Sequence, residues 1–341
     1  MNKKNPPDYV FLVLAGILVL FGLAMLFSAS GPYAYEKFGD SYHFLKHQVL
    51  FGLLPGLFLF LILSKINYRF WRRISLPLFI FSIAILIVVF IPGLSATYGK
   101  AKSWISIGSF SFQPSELVKL TFLFYLAAWM VKRGDELRDL KRGTLTFLAI
   151  LAPIALLVMF QPDMGTMFVI VTTAFILFFI AGARLPHLAG ILAVGTLLLF
   201  LLVKISPYFT RISHLIKRFT TFLHPEQDPY GIGYHINQSL IAIGSGGFFG
   251  LGLGHSMQKK QFLPEVAADS IFAVMAEELG FFFTVLFIVL FIAFLLQIFK
   301  IANRAQDDYG RLIALGIVSW IGAQMLLNVG SMLGLLPMTG V

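Results

Sequence analysis

Three groups of polar residues stand where the surrounding sequence is apolar, and an ionisable side chain in such a place is costly enough to imply a function. The first is SFQPSELVKL, residues 111–120. Pro114 suits the first turn of a helix, Ser115 and Glu116 suit its positive end, and Glu116 and Lys119, three apart, share a face. Two readings stand: a structural ion pair, or a lysine that offers its cation to an anionic lipid head group at the outer surface. The second group is QPDMGT, residues 161–166, where Asp163 either caps the following helix or works in a short outer turn. The third is the long polar stretch 218–280, with Arg218, Lys259, Lys260, Asp269, Glu277 and Glu278. Asp269 precedes an apolar helix, where it is an ordinary N-cap on one reading and a functional carboxylate at the outer face on the other.

Within that stretch, residues 244–254 read GSGGFFGLGLG, six glycines in eleven. No strand–turn–helix context surrounds them, so this is not a dinucleotide fingerprint. It predicts a flexible or re-entrant segment whose backbone can approach a ligand closely. Phe248, Phe249 and Phe262 would hold the segment at the membrane interface.

The elements that must position these residues follow from composition. The chain has 341 residues, 58% of them apolar and 12% charged, with 37 Phe and a mean hydropathy of +0.86. A soluble globule with this makeup could not cover itself with polar surface, so the bulk faces lipid. The absence of Cys excludes disulfides, thiolate metal sites and cysteine catalysis. Windows of about 20 residues predict an all-α polytopic helix bundle of nine spans, at 9–29, 44–64, 74–92, 115–131, 144–160, 163–183, 185–206, 269–299 and 312–336. With the N-terminus cytoplasmic, fifteen Lys and Arg fall in cytoplasmic segments and four in short outer loops. The net charge of +10 is then a matter of topology and needs no nucleic-acid partner. One domain is expected, 1–341, with residues 207–268 as a large extracellular loop between spans seven and eight.

The order PSELVKL, QPDMGT, YHINQSLIAIGSGGFFGLGLG, QKKQFLPE, the aspartate, IFAVMAEELG and GLLPMTGV resembles the SEDS family of bacterial cell-wall synthases, the FtsW, RodA and SpoVE group. Residues 250–259 look closer to the FtsW and SpoVE branch than to RodA. The resemblance implies ten helices and a peptidoglycan glycosyltransferase that polymerises lipid II at the outer face of the bacterial cytoplasmic membrane. It also implies a class B penicillin-binding protein as partner, alongside other membrane proteins of the division or elongation machinery. Asp269 matches the aspartate proposed to be catalytic, Glu116 and Lys119 match the fourth-helix pair, and Trp104 matches a tryptophan just upstream. Substrate contacts are implied at Trp104, Glu116, Lys119, Asp163, Arg218, Gln238, Ser239, Lys259, Lys260 and Glu265. A divalent cation, Mg or Mn, would share the diphosphate charge with Lys119, Arg218, Lys259 and Lys260; no protein metal site is expected.

Three departures stand out. The family usually reads His-Thr-Asp-Phe where this chain has Ala267-Ala268-Asp269-Ser270, and many members carry Arg where Ser103 precedes Trp104. The chain also stops at Val341, inside a motif that the family continues into a tenth helix, which reads as a truncation. Two other functions remain open on the sequence: a lipid II flippase or transporter, and a non-catalytic scaffold that activates a penicillin-binding protein.

Overall fold

The computed structural model describes residues 7–91, 95–98, 101–107, 110–205, 221, 222, 224, 228 and 230–338. In chain order the main helices are α1 (Tyr9–Phe38), α2 (His43–Leu63), α3 (Ser75–Val88), α4 (Pro114–Arg133), α5 (Leu140–Phe160), α6 (Met164–Ile180), α7 (Leu185–Ile205), α8 (Ile232–Ser245), α9 (Ile271–Asn303) and α10 (Asp308–Met332). Six helices among the described residues are long and apolar enough to cross a membrane, and Ser75–Val88, Met164–Ile180 and Leu185–Leu197 are shorter apolar helices. Each of the nine windows expected from sequence overlaps one of these helices, and six of the nine overlap a helix long and apolar enough to cross a membrane. The chain is a polytopic helical membrane protein.

Local chemistry sets the ends. Asp8 accepts the amide of Phe11 at 3.0 Å to open α1, and Gly39, at φ +69°, closes it by donating to Tyr35 O at 2.8 Å. Pro114 begins α4, Glu116 lies in its first turn, and Lys132 and Arg133 lie in its last, where the helix dipole favours each charge. Two elements were not expected. A three-stranded antiparallel sheet, β1 (Ser95–Tyr98), β2 (Ala101–Ile107) and β3 (Phe110–Phe112), lies between α3 and α4. The region expected as loop also contains the helix α8.

The chain forms two compact units. The first comprises Met1–Lys65, Thr220–Lys300 and Asn328–Met338; the second comprises Ile66–Phe219, Ile301–Leu327 and Thr339–Val341. The core of the first gathers Met25 and Ala29 of α1, Ile236 and Ala242 of α8, Leu263, Val266, and Phe272 to Met275 of α9. The core of the second is larger and is built from α3 to α6 with the start of α10.

The eighth predicted span differs most from expectation. Instead of one helix from residue 269, α9 is broken at Gly280, whose φ of +75° and ψ of −179° are not helical. The break exposes backbone groups, and the glycine-rich segment satisfies them. Leu251 N donates to Glu277 O at 3.0 Å and Gly252 N to Glu278 O at 2.9 Å, while Phe281 N and Phe282 N donate to Gly247 O and Phe248 O at 2.9 and 3.1 Å. The glycines are required by this approach: a Cβ on Gly250 would lie 2.2 Å from Glu278 O, and one on Gly280 would lie 2.2 Å from Gly250 N. The segment folds back against the protein's own helix, with its backbone in close approach to α9.

Candidate functional site

In the first unit the polar residues converge where α1, the segment after the glycines and α9 meet. Glu277 and Glu278 are both buried, each 1% exposed. Glu277 accepts the hydroxyl of Ser256 and the amides of Met257 at 3.0 Å and Gln258 at 3.3 Å. Glu278 accepts Lys259 Nζ at 2.6 Å and Ser28 Oγ at 2.5 Å, and Lys259 Nζ also donates to Ser28 O at 2.9 Å. Lys259 is therefore not the surface cation expected for a diphosphate. It is 3% exposed, and its charge is committed to an ion pair. A buried lysine must be paired, and this one pins the loop to two helices.

Asp269 is half-buried in the turn that leads into α9. Glu265, exposed and at φ +49°, accepts the amides of Ala268 at 3.0 Å and Ser270 at 3.2 Å through its carbonyl. The carbonyl that receives the first helical amides, from Ala273 and Val274, belongs to Ser270. The helix thus begins one residue later than the N-cap reading of Asp269 assumed. On α8, Gln238 is half-buried, whereas Ser239 is buried and donates to His235 O at 2.8 Å. Lys260 is exposed, and Arg218 lies outside the described residues.

In the second unit Lys119 is buried and pairs with the half-exposed Glu116 at 2.9 Å. Its Nζ also donates to Gln324 Oε1 at 3.1 Å and lies 5.0 Å from the Trp320 ring centroid. Trp320 Nε1 donates to the same Gln324 oxygen at 3.0 Å, which fixes the orientation of that amide. Beside them is a cavity of about 10 Å³, room for roughly one water, where Thr173 Oγ1 has no hydrogen-bond partner among the described residues. Asp163 caps α6 by accepting Thr166 N at 3.1 Å and also receives Gln113 Nε2 at 2.7 Å, so it joins the turn before α6 to the start of α4. Trp104 is half-buried on β2.

The family model described as cell cycle protein, FtsW/RodA/SpoVE, matches residues 8–341. The chain belongs to the FtsW/RodA/SpoVE family. Among relatives of this family, stage V sporulation protein E of Bacillus subtilis is 39% identical over 340 residues, covering 100% of this chain and 91% of that protein. The probable peptidoglycan glycosyltransferase FtsW of Trichlorobacter lovleyi is 38% identical over 334 residues, 98% of this chain and 86% of that protein. These relatives agree with the nearness to FtsW and SpoVE read from residues 250–259. Two solved structures share the fold. One, from a study of polymerization and crosslinking by a peptidoglycan synthase complex, has a TM-score of 0.78 at 24% identity, covering 98% of this chain and 89% of that one. The other, an aspartate-to-alanine mutant of the Rod shape determining protein RodA of Thermus thermophilus, has 0.67 at 23%, covering 98% and 88%.

Reasoning from sequence alone missed Ser28, His235, Ser256, Ser270, Trp320 and Gln324 in this FtsW/RodA/SpoVE chain. A signal existed for one pair: Trp320 and Gln324 are polar-tipped residues four apart inside an apolar helix, the spacing that places two side chains on one face.

Proposed function

We propose that the chain is a peptidoglycan glycosyltransferase that polymerises lipid II at the outer face of the bacterial cytoplasmic membrane. The observation that carries this reading is the match over residues 8–341 to a family whose relatives include probable peptidoglycan glycosyltransferases at 34–38% identity. Nine spans, a cytoplasmic N-terminus and a large outer loop at 207–268 complete the topology. By the same resemblance the partner is a class B penicillin-binding protein.

In the proposed reaction the 4-hydroxyl of an acceptor GlcNAc attacks the anomeric carbon of a MurNAc α-linked to undecaprenyl diphosphate. The new C–O bond is β, the bond to the diphosphate oxygen breaks, and one inverting displacement suffices. Asp269 accepts the hydroxyl proton as attack proceeds. Diphosphate leaves as an anion and needs charge stabilisation more than an acid. Lys260, exposed on the unit that carries Asp269, supplies a cation in this reading, because Lys259 is engaged with Glu278. No group of three or more His, Asp or Glu residues that could hold a metal gathers among the described residues. In this reading a divalent ion arrives with the diphosphate.

The test is lipid II polymerisation by the purified chain with a class B partner, wild type against Asp269→Asn, read as a ladder of glycan lengths. Polymer from the wild type and none from a folded Asp269→Asn is the expected result. Equal ladders from both would remove Asp269 from the chemistry and favour a flippase or scaffold, either of which should tolerate a near-isosteric change at this position.

A further inference from the structure

The hydroxyl of Ser270 lies between two partners. Its Oγ is 2.6 Å from Nε2 of His235 and 2.6 Å from the carbonyl oxygen of Pro264. A hydroxyl has one proton to give and a carbonyl has none, so that proton goes to Pro264 and the proton of the other contact must sit on His235 Nε2. The tautomer follows from the network: Nε2–H donates to Ser270, and Nδ1 holds a lone pair, buried and with no hydrogen-bond partner among the described residues. A second ring proton would place an N–H where nothing accepts it, so the ring is held neutral.

Both ends of this contact are fixed. His235 is 2% exposed on α8, its amide bonds to Gly231 O at 3.2 Å, and its carbonyl accepts Ser239 Oγ. Ser270 is fully buried, its amide bonds to Glu265 O at 3.2 Å, and its carbonyl starts α9. Asp269 is one peptide bond away, about 3.8 Å between Cα atoms, so the backbone that carries its carboxylate is held by an anchored neighbour. The two residues before it, Ala267 and Ala268, bring no polar side chain that could orient the turn from the other side.

We infer that His235 and Ser270 are positioning residues for Asp269: the His235–Ser270–Pro264 relay ties the turn to α8 and sets where the carboxylate stands. This rests on the reading of Asp269 as the general base. A base must come within about 2.6–3.2 Å of the oxygen whose proton it takes, and a displacement of ~1 Å can cost ~100-fold in rate. The relay acts on the rate of the step rather than on substrate affinity, because neither residue needs to touch lipid II.

The experiment measures kcat and KM for lipid II polymerisation with the class B partner present. The proteins are wild type, Asp269→Asn, Ser270→Ala, His235→Leu, His235→Gln and the double variant His235→Leu/Ser270→Ala, each checked for a wild-type elution profile. His235→Gln keeps an N–H donor near the position of Nε2 and serves as the conservative rescue. Expected are a fall in kcat of about 10- to 100-fold for Ser270→Ala and His235→Leu with KM within twofold. The double variant should fall no further than the worse single one, because both act through one relay, and His235→Gln should recover most of the rate. Hydrogen exchange of the amides of residues 268–274 should rise in the two impaired single variants and return in His235→Gln. Wild-type kcat in a folded His235→Leu, multiplicative losses in the double variant, or no rescue by Gln would overturn the inference while Asp269→Asn stays inactive. A fully active Asp269→Asn, or an inactive wild type, would instead overturn the underlying reading and this inference with it.

Discussion

Lys259 and Glu278 meet at 2.6 Å with side-chain exposures of 2% and 0%, and such a pair is far easier to harm than to improve. Removing one partner leaves the other charge buried alone, which costs about 3–5 kcal/mol, whereas replacing both with apolar groups is often tolerated. Lys259→Met should therefore lower the thermal midpoint of the detergent-solubilised protein markedly, and Lys259→Met/Glu278→Leu should recover much of the loss. A Lys259→Met midpoint equal to wild type would mean that the pair does not hold the loop. His235 gives a second prediction at this scale. Burial pushes its pKa from 6.5 down to about 4, so between those values the unfolded chain binds a proton that the folded chain refuses. Stability should then fall as pH drops from about 7 toward 4, by up to ~1.4 kcal/mol per pH unit from this group. In His235→Gln that part of the slope disappears, and an unchanged slope in melts at pH 5 and 7 would show that the ring titrates freely.

The break in α9 and the glycine-rich segment are one structure made of two sequence features, and the sequence displayed them unequally. Six glycines in eleven residues were a plain signal of close backbone approach, but nothing local says what is approached. Gly280 lies between Leu279 and a run of phenylalanines, so a hydropathy window passes over it and reads one continuous helix. The partner of each half is the other half, 30 residues away, and such a pairing has no local signature. The sheet is a different case. Ile105 to Ile107 and Phe110 to Phe112 alternate apolar and polar residues around Gly108-Ser109, a hairpin pattern that a search for 20-residue spans ignores. Asp269, Lys119 and Glu116 stood out as candidates because charge in apolar sequence is conspicuous, while Ser28, Ser256 and His235 matter only through distant partners. The contrast among glycines can be tested. Gly250→Ala puts a Cβ 2.2 Å from a carbonyl oxygen at φ +81°, and should unfold the segment or cost several kcal/mol. A Cβ added to Gly16 of α1 would meet nothing within 4 Å, so Gly16→Ala should leave the thermal midpoint within a few degrees of wild type.

At the scale of the whole molecule, charge distribution orients the helices, and the consequence is measurable because the chain has no native cysteine to obscure a label. On the proposed topology, fifteen Lys and Arg lie on the cytoplasmic side against four in the short outer loops, and the segments around Arg142 and Arg304 are cytoplasmic. Three apolar helices, α5, α6 and α7, separate Arg142 from Tyr230, which is 96% exposed. If each of the three crosses, as proposed, Tyr230 is on the outer side, where the proposed lipid substrate would be met. Single-cysteine variants Arg142→Cys, Tyr230→Cys and Arg304→Cys, treated in intact cells with a membrane-impermeant maleimide, should give label only at position 230. Permeabilised cells should give label at all three. Label at 142 and 304 in intact cells would invert the topology and put Asp269 on the wrong side for the proposed chemistry. Label at both 142 and 230 would mean that one of α5 to α7 does not cross, and the three shorter apolar helices make α6 and α7 the two to examine next.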